Sequence, residues 1–136
     1  MIAILLNDAS FEQDIRELLM AFYPGETFTH KEEEAGEAEL IVRGVRDGNS
    51  FSLDVTPVKK EAVHFALIYP DFSNRFETKN EIKQTLYRLL SVQTGRELPW
   101  GTLTGIRPTK IALTKLYDGW TDEQIETYMR ETYFTS

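Results

Sequence analysis

The run "SFSLDVTPV" (Ser50–Val58) alternates Phe51, Leu53, Val55 and Pro57 with Ser50, Ser52, Asp54 and Thr56. A period of two sends the apolar side chains to one face and the polar ones to the other, so the segment reads as a strand with one covered face. "AELIVRGVR" precedes it across Asp47, Gly48 and Asn49, a turn chemistry suited to a hairpin, and "AVHFALIY" follows as a further strand. The period holds from Glu26 to Tyr69 and predicts an antiparallel meander, whose apolar face must be covered by helices.

Helical patterns lie on both sides of this region. The opening "IAILL" is a short continuous apolar run closed by Asn7 and Asp8, as expected of a buried strand. Ser10 and Gln13 have the spacing of a capping box, and Phe11, Ile15, Leu18, Leu19 and Phe22 share a helical face before Pro24 and Gly25 end it. Thr78 with Glu81 repeats the capping spacing ahead of Ile82, Leu86, Leu89, Leu90 and Gln93, a stripe that stops near Gly95. Pro108 suits the first turn of a third helix reaching about Tyr117, with Gly119 at its end. Thr121 and Gln124 then cap a fourth, carrying Ile125, Tyr128, Met129 and Tyr133 and showing no stop signal before Ser136, as expected of a cut fragment. The expected class is α+β: an antiparallel sheet of about four strands in the order β-α-β-β-β-α, followed by two short C-terminal helices.

Composition narrows the chemistry. With no cysteine, the chain has no disulfide, thiolate nucleophile, iron–sulfur ligand or cysteine-rich zinc site. The two histidines, His30 and His64, have no HxH or HxxxH partner, so no metal site is expected. Neither lies in a nucleophile turn, and no carboxylate pair is marked as an acid/base couple. A net charge of -7 disfavours non-specific nucleic-acid binding. The acid-rich "KEEEAGEAE" (Lys31–Glu39) reads as a solvated loop or strand end. No apolar run approaches membrane-spanning length, and "MIAILLND" lacks the basic leader of a signal peptide, so the cytoplasm is the expected compartment.

The stretch "RELPWGTLTGI" is long for a connection in a compact domain and reads as a functional loop or hinge. It leads into the helix entrance at Pro108, where free N–H groups and the dipole attract anions beside Arg107 and Lys110. Neither GxxxxGK[ST] nor GxGxxG is present. Candidates for anion holding or domain docking are Trp100, Thr104, Arg107, Thr109 and Lys110. Two readings of the cations stay open: they pair with this chain's own carboxylates or dock another domain, or they hold an external small anion. Trp100 either anchors the loop or stacks on a partner, and Tyr128, Tyr133 and Phe134 read as a packing face.

"WGTLTGIRPTKIALTKL" followed by "GWTDEQIETYMRETY" resembles the region just upstream of the radical S-adenosylmethionine core in the oxygen-independent coproporphyrinogen III oxidase-like proteins, or coproporphyrinogen dehydrogenases, of Gram-positive bacteria. Its most specific element is Leu103–Lys110, "LTGIRPTK", behind Trp100 and Gly101. The resemblance is firm over roughly a quarter of the chain, and upstream it survives only as a similar order of strands and a helix leading into "QTG". In that family a CxxxCxxC motif follows this region and holds a [4Fe–4S] cluster that cleaves S-adenosylmethionine, starting the oxidative decarboxylation of porphyrinogen propionates. The resemblance therefore implies a non-catalytic N-terminal piece of a haem-biosynthesis oxidoreductase. Residues 1–96 would be an α+β accessory domain, and 97–136 a helical segment leading toward a missing radical S-adenosylmethionine barrel. It implies that barrel as partner, with an anionic porphyrinogen as a possible ligand of Arg107 and Lys110, and it carries over no catalytic residue. The alternatives are an RNA- or tRNA-binding module and a purely structural interaction module.

Overall fold

Strand β1 (Ile2–Leu6) is apolar at every position because both of its faces are covered. The computed structural model describes residues 1–58, 63–98, 101–102, 115 and 118–134. Their contacts divide the chain into two units, Met1–Arg96 and Glu97–Ser136.

In the first unit, β1 leads through a 3-10 turn (Ala9–Phe11) into α1 (Glu12–Phe22). Then come β2 (Phe28–Thr29), a second 3-10 segment (Glu32–Glu37), β3 (Leu40–Asp47), β4 (Ser50–Pro57), β5 (His64–Ile68) and α2 (Arg75–Thr94). The class is α+β, but the sheet corrects the expected antiparallel one of about four strands. Among the described residues it has five strands in the order β2-β1-β3-β4-β5 and is mixed, since β1 runs parallel to both β2 and β3. The connection explains the direction: a chain that leaves β1 through a helix returns at the starting end of the sheet and enters it parallel. The β3–β4–β5 part is the expected antiparallel meander.

Register assigns the faces. Ile2, Ile4, Leu40, Val42, Val55, Leu53 and Phe51 share the side covered by Ile15, Leu18, Leu19 and Phe22 of α1 and Ile82, Leu86 and Leu90 of α2. A fully buried side chain of this kind contributes about 1.5–3 kcal/mol. Gly44 keeps that layer closed, because a Cβ there would lie 2.7 Å from Leu6 Cδ2 and 3.0 Å from Phe51 Cζ. The Phe51 ring in turn meets Phe11 edge-on at 5.4 Å.

Among the described residues of this unit the opposite face is covered at its β1 end, where Ala35 and Ala38 pack on Ala3 and Leu5 beside Met1 and Ile41. Here the acidic stretch departs from the expected loop or strand end. Ala35 and Ala38 are one 3-10 turn apart, so both drop onto the sheet while Glu32 stays out and grips Arg43 through bonds of 2.7 and 3.2 Å.

Two of three expected capping boxes are corrected. Asp8 caps the 3-10 turn before α1 by accepting from Ser10 N at 3.0 Å, while the Gln13 side chain turns to Glu17. Asn74 caps α2 by accepting from Glu77 N at 3.1 Å, one turn earlier than expected, and Thr78 is a buried residue whose hydroxyl donates to the Asp71 carbonyl. The end of α2 at Gly95 is as expected.

In the second unit the box at Thr121 and Gln124 opens α3 (Asp122–Tyr133) with both reciprocal bonds made. The helix has the stop that its sequence does not signal: Phe134 adopts φ 62°, and its N–H reaches the Arg130 carbonyl at 3.0 Å. The other expected C-terminal helix, from Pro108 to about Tyr117, falls outside the described residues except at Lys115.

Candidate functional site

All five residues singled out from the sequence, Trp100, Thr104, Arg107, Thr109 and Lys110, lie outside the described residues. Gly101 and Thr102, next to Trp100, are described and are clamped to the end of α3. The Tyr133 carbonyl, left without a helical partner at that terminus, accepts from Thr102 N at 2.6 Å and from Thr102 Oγ1 at 3.2 Å. Glycine is required next to this clamp: Gly101 has φ 58°, and a Cβ on it would stand 1.8 Å from the Tyr133 carbonyl oxygen.

The same unit holds an aromatic cluster. The rings of Trp120 and Tyr128 meet edge-on at 5.3 Å and those of Tyr128 and Tyr133 at 6.0 Å. The Lys115 ammonium sits 4.7 Å from the Trp120 and Tyr128 ring centres. Burial, followed by contact with Tyr128, raises the Tyr133 hydroxyl well above its ordinary value, so it stays neutral. Beside the cluster is an open groove of about 690 Å³ lined by Trp120, Tyr128, Glu123 and Glu131. Lys115 and Trp120 had no place in the sequence reading, because their meeting depends on how the turn before α3 folds back.

In the first unit a smaller crevice of about 180 Å³ opens among Asp8, Phe11, Arg46, Phe72, Arg75 and Lys79. Two of its three cations are matched internally: Arg46 lies 3.4 Å from Asp8 and stacks 3.9 Å from the Phe72 centroid, and Lys79 lies 3.3 Å from Asp14. The Ser10 bonds, then Arg46, hold the Asp8 carboxyl below its usual range, and Ser73 does the same for Asp71. Such carboxylates stay ionised and do not serve as proton donors near neutrality. His30 bonds Glu12 at 3.0 Å, and His64 belongs to β5. Among the described residues no group of three or more acidic, histidine or cysteine side chains is placed to hold a metal.

The third feature is the open end of the sheet. On the face away from the helices, Asp54 is paired across the ladder with Phe65 and Ser52 with Leu67. Both apolar side chains, with Val63 and Tyr69, are exposed. Burial raises the Asp54 carboxyl, and the charge of Arg43 and a bond with Thr56 only partly oppose the shift. "AVHFALIY" is apolar at both parities, so its sequence could not reveal which side is exposed among the described residues.

The chain is 35% identical over 81 residues to the oxygen-independent coproporphyrinogen-III oxidase-like protein HemZ of Bacillus subtilis (strain 168). The match takes in 57% of this chain and 16% of that protein, so the chain spans a small part of the length of the relative it matches. No family model and no solved structure matches the chain.

Proposed function

We propose that this chain is a non-catalytic accessory segment of a coproporphyrinogen III oxidase-like protein, a radical S-adenosylmethionine oxidoreductase of haem biosynthesis. The observation that carries the reading is the 35% identity over 81 residues to a protein of which this chain spans 16%. Residues 1–96 act as the accessory domain, and 97–136 lead to the larger remaining part in the cytoplasmic enzyme. Having no cysteine, the chain does not fit an iron–sulfur cluster, so the cluster and S-adenosylmethionine belong to the rest of the protein.

In this reading Trp100, Thr104, Arg107, Thr109 and Lys110 dock the segment onto the remaining domain or receive the propionates of the substrate, with Arg107 able to grip a carboxylate through two parallel bonds. A purely structural role is the second reading, favoured by the exposed Phe65 and Leu67. Arg107→Ala in the full-length protein tests the proposal. It is expected to leave thermal unfolding of this segment unchanged while weakening domain association or coproporphyrinogen turnover by about tenfold or more, the scale of a lost charge-assisted pair. Unchanged association together with unchanged turnover would overturn the assignment.

A further inference from the structure

We infer that Gly101 and Thr102 are positioning residues, which anchor the start of the segment that carries Arg107 to the end of α3. The inference rests on the reading of that segment as the part that docks or receives substrate. Its physical basis lies within the second unit, in contacts that are made. Thr102 is buried, and its backbone N–H and its hydroxyl both donate to one acceptor, the Tyr133 carbonyl, 31 residues away in sequence. The last carbonyls of a helix can be met by water or by the chain that follows it, and here one is met from a distant loop.

The backbone on both sides is shaped for this contact. Gly101 (φ 58°) and Phe134 (φ 62°) are both left-handed, and a Cβ on Gly101 would stand 2.5 Å from the carbonyl carbon and oxygen of Phe134. A phenylalanine in this region costs on the order of 1–3 kcal/mol and persists only where its surroundings hold it; such outliers gather at clamps and functional sites. Ending α3 does not itself demand one, since glycine or asparagine ends a helix in the same conformation at less cost. Anchoring also bounds the segment. Arg107 follows Thr102 by five residues, so its Cα stays within about 18 Å of the anchor whatever path those residues take. A group confined in this way meets its target at a higher effective concentration than one on a loose chain. The anchor acts through Arg107.

Two measurements test the inference. Amide hydrogen exchange in the 136-residue chain should find the Thr102 N–H protected. Gly101→Ala should speed its exchange by about tenfold or more, while the Ile125 N–H, bonded to the Thr121 carbonyl at the other end of α3, keeps its rate. Thr102→Val keeps the backbone bond and loses only the hydroxyl, so it should give a smaller acceleration in the same direction. In the full-length protein Gly101→Ala should weaken domain association or coproporphyrinogen turnover. Combined with Arg107→Ala, it should cost at least about threefold less than the two separate losses multiplied together, because residues that act as one unit are not additive. A freely exchanging Thr102 amide, an equal acceleration at Ile125, or losses that simply multiply would each overturn the inference. An inert Arg107→Ala beside a protected Thr102 amide is a different result: the anchor stands and the reading of the segment is overturned.

Discussion

Asp54 shows what one side chain costs when its surroundings change along a strand. It holds a polar position of the alternating pattern, yet it stands opposite Phe65, and burial lifts its carboxyl above the ordinary value of 3.8. Below that value the acid is neutral in both folded and unfolded chains, and its burial is not opposed by charge. This stability is lost as pH rises through the folded-state pKa. Asp54→Asn stays neutral throughout, so it should be more stable than the unsubstituted chain at pH 7 by less than about 1 kcal/mol, a partly exposed group being screened by solvent. Denaturant unfolding at about pH 3 and at pH 7 measures this: the gain should be present at pH 7 and vanish near pH 3. At the same scale, the period-two signal correctly sends Asp54 away from the core. What the signal omits is its neighbour across the ladder, since the alternation within residues 50–58 does not set their register against β5.

Elements were more legible than their neighbours and caps. α1, α2, β3 and β4 can be read from spacing because each apolar position reports one face of one element, whereas β5 is legible as a strand but not by face. The parallel placement of β1 cannot be read this way, for a continuous apolar run names no partner. For α2 the sequence offers two cap residues one turn apart, Asn74 and Thr78, and the fold chooses Asn74 because Thr78 is buried with its hydroxyl on the Asp71 carbonyl. Asn74→Ala should therefore cost about 1 kcal/mol of unfolding free energy, while Glu81→Ala, at the position expected to complete a box with Thr78, should cost less than about 0.5. Equal losses in denaturant unfolding would restore the cap at Thr78. In the second unit, the capping box at Thr121 was legible because both partners lie within one turn, whereas the stop at Phe134 was not, because a non-glycine residue in the left-handed region carries no sequence mark.

The described residues combine a helix-covered mixed sheet in the first unit with a second unit in which Thr102 is tied to the end of α3. Among the described residues no helix is long and apolar enough to cross a membrane. The sequence motif gave the family resemblance, and the identity to a much longer coproporphyrinogen-III oxidase-like protein agrees with it. The candidate residues Trp100, Thr104, Arg107, Thr109 and Lys110 were named from that stretch of sequence, and all five lie outside the described residues. The most direct measurement is the nucleotide sequence downstream of codon 136 in the gene. Expected is an open frame that continues and encodes CxxxCxxC within roughly a hundred residues, the length at which a further domain takes shape. A stop at that codon, or a continuation without three closely spaced cysteines, would contradict it.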